Sequence, residues 1–178
     1  MRNLWKEVLG LSVIGIGLGV SAPAQADSVG PYYAMPSWDQ TLPAATRFIV
    51  LSNLAGEAVL DRETGLVWQK TLNPGTFLWA NATLLCAILR TGGRQGWRLP
   101  SLHELGSLVD PANFNPALPT GHPFVNVQPI FYWSATTVAD NPSEAWTQGF
   151  SGGVSTGVKA ENFFPVWCVR GANNADQY

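Results

Sequence analysis

The chain has 178 residues, with ten Lys and Arg against twelve Asp and Glu, a net charge of −2 and only 12% charged side chains. So mild a balance points away from a nucleic-acid surface or a polybasic membrane patch. With 46% apolar residues and eight tryptophans, the chain is long enough for one domain with a full core.

Residues 1–26 read as an export signal. Arg2 and Lys6 form a positive start, and Val8 to Val20 is an apolar run, shorter than the about 20 residues a transmembrane helix needs. Ala24-Gln25-Ala26 is a small-x-small cleavage site, which puts the mature start at Asp27. The expected location is exported, periplasmic or extracellular, with no stable membrane insertion after cleavage. Residues 27–46 are rich in Pro, Ala and Ser and carry Tyr32, Tyr33 and Trp38. They read as a linker or N-terminal arm ahead of a domain over 47–171, with 172–178 as a tail.

Arg47 to Leu51 is a β-rich start. Val59-Leu60-Asp61, Arg62-Glu63-Thr64-Gly65 and Leu66-Val67-Trp68 predict strand, turn and strand, with Gly65 at the position that needs a positive φ. From Phe77 to Arg90 the apolar residues Leu78, Ala82, Leu85, Cys86 and Leu89 fall at helical spacing.

Residues 92–105 carry the most specific local pattern. After Gly92, Gly93 and Gly96, Trp97-Arg98-Leu99-Pro100 runs into Ser101-Leu102-His103-Glu104, a capping box. In it the Ser101 hydroxyl accepts from the Glu104 N–H, and the Glu104 carboxylate reaches back to the N–H of Ser101. Leu102, Leu105, Leu108 and Val109 then give a short helix its apolar stripe. Trp97 and Arg98 are expected to pin that helix to a sheet, with Arg98 semi-buried and paired to Glu104 or Asp61.

From Asp110-Pro111 runs a long stretch without periodicity, punctuated by five prolines from Pro111 to Pro129. Such a loop is functional or packed on itself. Phe131 to Ala135, Ala145 to Phe150, Val154 to Val158 and Val166 to Arg170 predict four short strands, with Gly152-Gly153 as a hairpin turn. Seven tryptophans follow residue 26, most of them expected in the core, Trp97, Trp133 and Trp146 among them. In an exported chain the two cysteines, Cys86 and Cys168, are expected to form a disulfide. Reactive thiols or metal ligands are the other reading.

The ordered series Asp61-x-x-Thr64-Gly65-Leu66-x-Trp68, Trp79-Ala80 with Cys86, Gly96-Trp97-Arg98-Leu99-Pro100 with Glu104-Leu105, Tyr132-Trp133-Ser134-x-Thr136, Ala145-Trp146 and Cys168-Val169-Arg170-Gly171 resembles the Lcl C-terminal domain family over about residues 47–171. The resemblance implies an α+β, C-type-lectin-like fold: two helices packed on a twisted antiparallel sheet with a long loop region. It also implies a helix-to-last-strand cysteine bridge. Named members include a bacterial adhesin whose C-terminal domain binds sulfated glycosaminoglycans. The collagen-like repeats of that adhesin do not occur here.

Catalytic patterns are weak. Gly149-Phe150-Ser151-Gly152-Gly153 matches a hydrolase elbow, but a strand rather than a helix follows it, and His103 and His122 both precede the serine. Distant relatives of the implied fold include formylglycine-generating oxidases, which need redox-active cysteines; here the pair suits a structural bridge. Calcium-dependent lectins of that fold use a carbonyl-bearing loop and a Trp-Asn-Asp strand, which Gln128-Pro129-Ile130 and Ala145-Trp146-Thr147 do not reproduce. No metal or cofactor is therefore expected. Asp140, Asn141, Glu144 and Asn162 offer hard oxygen atoms in no recognised pattern.

Arg90 and Arg94 suit sulfate or carboxylate groups on a glycan, since guanidinium forks match such oxygens. The expected function is thus a non-enzymatic binding module for an acidic glycan or surface protein, with Arg90, Arg94, His122, Asp140, Asn141 and Glu144 as binding residues. Cys86, Cys168, Trp97, Arg98, Ser101, Glu104 and Trp133 are structural in this reading. The alternatives are an assembly subunit of the cell envelope, or an enzyme with a site in the 110–145 loop built on Ser134, His122 or Asp140.

Overall fold

The computed structural model describes residues 42–171. The expected signal, the arm up to residue 41 with Tyr32, Tyr33 and Trp38, and the 172–178 tail lie outside the described residues. The chain runs through α1 (Ala44–Arg47), β1 (Phe48–Val50), β2 (Ala58–Asp61), β3 (Val67–Gln69), α2 (Trp79–Ile88), β4 (Trp97–Arg98) and α3 (Leu102–Gly106). It continues through β5 (Phe131–Thr137), β6 (Glu144–Gly149), β7 (Val154–Val158) and β8 (Val169–Arg170).

The architecture is α+β, with two antiparallel sheets where the sequence reading has one. One sheet has the order β1-β2-β3-β8-β4, and the other is the meander β5-β6-β7. The last strand, β8, returns to lie between β3 and β4, so both ends of the described domain share one sheet. Val166 to Arg170 shortens to Val169–Arg170 because the segment ahead of it crosses between sheets. The Pro165 carbonyl accepts from Trp133 N–H of β5, and the Cys168 carbonyl accepts from Gln69 N–H.

Register fixes what each face buries. Val59 pairs with Trp68, and Trp68 and Arg98 both pair with Val169. Because side chains alternate along a strand, this row shares one face, while Leu60, Val67, Arg170 and Trp97 share the other. Both faces are covered. On the first, Trp68, Val59 and Val169 pack with Leu105, Leu108, Leu118, Phe124, Phe150 and Trp167. Trp167 is the hub, with ring centroids 5.5 Å from Trp68, 4.8 Å from Phe124 and 5.4 Å from Phe150. On the second face, Trp97, Leu99, Trp133, Ala82 and Val166 surround the bridge between Cys86 of α2 and Cys168, 82 positions apart.

Local sequence explains the helices. Pro43 opens α1, its carbonyl accepting from the N–H groups of Thr46 and Arg47, and a proline at a helix start forfeits no bond. Arg47 therefore ends a helix instead of starting a strand. Ala44 to Thr46 of that helix fall in the part of the chain read as an arm, and Ala44 packs into the first core. The helix expected over Phe77 to Arg90 is α2, burying Ala82 and Cys86. Its opposite side leaves Leu84 and Ile88 exposed.

The capping box of α3 is complete: Glu104 N–H donates to Ser101 Oγ at 3.2 Å, and Ser101 N–H donates to Glu104 Oε2 at 2.8 Å. The helix stops at Gly106 rather than Val109, with the Ser107 hydroxyl donating to the Glu104 carbonyl at 2.7 Å. The long loop beyond it packs on itself, burying Ala117, Leu118 and Phe124. Trp97 and Trp133 are in the core as expected, but Trp146 is only half-buried. Ala145 and Thr147 take the inward positions of β6, so the residue between them points the other way.

Candidate functional site

Two arginines belong to the frame. Arg47 is wholly buried; its Nε and Nη2 donate to the two Asp61 oxygens at 2.9 and 2.8 Å, and Nη2 also donates to the Ser107 carbonyl at 2.8 Å. Arg98 takes Glu104, not Asp61, as its partner. Its Nη1 and Nη2 donate to the two carboxylate oxygens at 2.7 and 2.6 Å, and Nη2 also reaches the Gly171 carbonyl at 3.0 Å. Such bidentate pairs fix geometry as well as charge.

The remaining arginines of the corner have no such partner. The turn after α2 is shaped by Gly92, at φ 62° with its Cα against Leu54, where a Cβ would lie 2.7 Å from the Leu54 Cβ. Its N–H donates to Glu57 Oε2 at 2.6 Å. The chain then presents Gln95, which gathers two arginines. Arg170 Nε, from β8, donates to the Gln95 carbonyl at 2.8 Å. With its amide oxygen turned inward, Gln95 also accepts from both Arg90 Nη atoms. Arg94 lies next in the same turn, its own carbonyl receiving Trp97 Nε1–H at 3.0 Å while its side chain is exposed.

Among the described residues, no carboxylate stands within 4.0 Å of Arg90, Arg94 or Arg170. Arg90 and Arg170 thus meet one glutamine, through its side chain and its backbone carbonyl, and Arg94 precedes it in the same turn with an exposed side chain. Arg170 comes from the far end of the sequence, and only strand β8 entering beside β4 brings it here. The sequence signal for it was its place in the Cys168-Val169-Arg170-Gly171 motif, which carried no binding role.

The other expected binding residues lie elsewhere. His122 is in the long loop, its Nδ1 accepting from Phe124 N–H at 3.2 Å and its ring stacked on Phe124 at 5.9 Å. Burial pushes its pKa below the ordinary histidine value. Asp140, Asn141 and Glu144 sit in the β5–β6 turn. There Asn141 Nδ2 donates to Glu144 Oε1 at 2.8 Å, and Ser143 Oγ donates to Asn141 Oδ1 at 2.6 Å. These bonds hold the turn, and Asp140 points its carboxylate into none of them. Among the described residues, no group of three or more His, Cys, Asp and Glu has the geometry to hold a metal.

The residues of the catalytic alternatives are engaged in the fold. Ser134 is wholly buried; its hydroxyl donates to the Trp146 carbonyl at 2.7 Å and accepts from Thr136 N–H at 3.1 Å. Ser151 is exposed in the β6–β7 turn, with a strand on each side. That geometry lacks the strand-to-helix corner on which a hydrolase nucleophile sits.

Among the described residues, no helix is long and apolar enough to cross a membrane. Comparison with curated proteins returns no match. The profile of the Lcl C-terminal domain matches residues 57–170, from the residue that anchors Gly92 to the arginine that meets Gln95. On a match over most of its length, the chain belongs to the Lcl C-terminal domain family.

Proposed function

We propose that this protein is an exported, non-enzymatic binding module that holds sulfate- or carboxylate-bearing glycans on a C-type-lectin-like frame. The observation that carries the reading is Arg90 and Arg170 held on Gln95, with the exposed Arg94 next to it in the chain, none of the three having an acidic partner within 4.0 Å among the described residues. Guanidinium groups clustered without counter-ions take oxyanions as bidentate partners. Membership of the family, the buried cysteine bridge and the amino-terminal signal pattern support export to the periplasm or cell surface, where such glycans are met.

Heparin and its fully desulfated form, titrated against the protein at low ionic strength, test this. Heparin is expected to bind, the desulfated form to bind much less, and Arg90→Ala with Arg94→Ala to weaken heparin at least about tenfold, given about 1.5–3 kcal/mol per charge-assisted bond. Binding should also fade as salt screens the exposed groups. Equal binding of both polysaccharides, or indifference to the substitutions, would overturn the reading.

A second reading, contact with a surface protein, is favoured by α2, where Leu84 and Ile88 lie 59% and 65% exposed one turn apart. Its test is Leu84→Glu, which should abolish any protein contact while leaving heparin binding intact.

A further inference from the structure

The chain holds its arginines in two ways. Arg47 and Arg98 are each gripped by a carboxylate, Asp61 or Glu104, through two hydrogen bonds. Their charge is cancelled where they stand, and they serve the frame. At the corner after α2 the acceptors are neutral. Arg170 Nε donates to the Gln95 backbone carbonyl at 2.8 Å, and Arg90 meets the oxygen of the Gln95 side-chain amide. One residue therefore holds two guanidinium groups, one from just past α2 and one from β8, and adds no negative charge to them.

Local structure carries Gln95 to that position. The Gly93 N–H donates to the Arg90 carbonyl at 2.8 Å, which ties Arg90 into the same turn. Two positions beyond Gln95, Trp97 is buried and pairs in register with Arg170 across β4 and β8. The Gln95 carbonyl is thus fixed by the frame, while its side chain is exposed. Neither Nη of Arg170 has an acceptor among the described residues. A guanidinium bonded at Nε keeps its Nη edge, which can address two oxygens of one oxyanion. A side chain already held also has less rotamer freedom to lose on binding.

We infer that Gln95 is the positioning residue of this corner and sets its selectivity. It holds Arg90 and Arg170 while leaving their charge for a sulfate or carboxylate, and its neutrality decides that the corner takes an oxyanion at all. Glutamate has the same length and the same acceptor oxygen. At this position it would pair with Arg90, as Glu104 does with Arg98, and repel the anion. Alanine would leave every charge in place and lose only the hold on Arg90, because the bond to Arg170 comes from the backbone. The inference rests on the glycan reading above for its ligand, and on the two contacts of Gln95 for its mechanism.

Gln95→Glu and Gln95→Ala test this in the mature protein, with heparin and inorganic sulfate as probes. Gln95 is exposed, so both variants are expected to keep the near-ultraviolet circular dichroism of the parent. In Gln95→Glu heparin binding should fall at least about tenfold and depend less on salt, since fewer cationic groups remain to displace counter-ions. Gln95→Ala should lose only about two- to fivefold, with the salt dependence unchanged. Ala80→Glu, which puts the same charge on an exposed position in the first turn of α2, should match the parent. The ¹⁵Nε–¹H signals of Arg90 and Arg170 should move with sulfate in the parent, against chloride at matched ionic strength, and stay in place in Gln95→Glu. That sulfate pattern in a protein indifferent to heparin would keep the inference and overturn the glycan reading. Heparin binding as tight in Gln95→Glu as in the parent, a loss no greater than in Ala80→Glu, or no sulfate response in the parent would each overturn the inference.

Discussion

Arg98 and Glu104 meet through two hydrogen bonds of 2.7 and 2.6 Å, and one oxygen of that carboxylate also closes the capping box on Ser101 N–H. A single side chain therefore joins the edge strand β4 to the first turn of α3. The pair is nearly shielded, with side-chain exposures of 19% and 7%. Removing either partner strands the other.

Glu104→Ala is expected to cost about 3–4 kcal/mol, because it leaves a shielded guanidinium unpaired and removes half of the capping box. Arg98→Lys should lose much of the same amount, since an ammonium cannot address both carboxylate oxygens and the Gly171 carbonyl at once. Urea midpoints of the two variants against the parent measure this. A loss under about 1 kcal/mol in Glu104→Ala would show that the pair does not set the corner.

The bridge between Cys86 and Cys168 closes a loop with a sequence separation of 82. On the chain-entropy account, opening it costs about 4–5 kcal/mol, because the unfolded chain regains that freedom. Cys86→Ala with Cys168→Ala, both positions being fully buried, should unfold at far lower denaturant with a steeper or equal slope. Equal midpoints for parent and double variant would refute the bridge as a principal staple.

Burial holds the His122 imidazole below its ordinary pKa of 6.5, and protonation at Nδ1 would break its bond from Phe124 N–H. The unfolded chain therefore takes up this proton at higher pH than the folded one. The stabilisation is complete above about pH 6.5 and is lost progressively as pH falls below it. The parent should lose more stability between about pH 7.5 and about pH 5.5 than His122→Gln does. Equal losses in both proteins would place the histidine effect elsewhere.

Gly157 on β7 lies beneath two rings: a Cβ there would stand 2.6 Å from Phe164 and 2.7 Å from Trp133. Trp133 is fully buried, with its Nε1 donating to the Phe77 carbonyl at 2.8 Å, so it cannot move aside. Gly157→Ala should cost about 1–3 kcal/mol through overpacking. Adding Phe164→Leu should recover part of that loss, read as a shift in thermal midpoint.

What could be read in the sequence was mostly local. The turn-to-helix corner rests on bonds between residues a few positions apart, and the Ser101–Glu104 box, Gly65 at φ 70° and the Gly152-Gly153 turn all follow from such short-range chemistry. The cysteine bridge was legible from compartment and count. Long-range pairing was not. Nothing near Arg47 announced that it would end a helix and sink beneath Asp61, nor does Arg170 signal that β8 will set it beside Gln95. The Ala145-Trp146 motif suggests a core position for Trp146, whereas strand alternation decides its face. The loop after Asp110 hid its buried Ala117, Leu118 and Phe124 because its apolar residues enter one at a time, without a period.

The short helix α3 is tied at both ends to opposite margins of the five-stranded sheet. Arg98, on β4, grips Glu104 in its first turn, and Arg47, at the threshold of β1, grips the Ser107 carbonyl just past its last. Sheet margins are ordinarily the first places to fray. Here neither margin can open without dragging the same helix, and its buried Leu105, out of the first core. The hydrogen-bonded amides of β1 and β4 are thereby expected to join a single cooperative unit, exchanging with solvent when the whole domain opens rather than strand by strand.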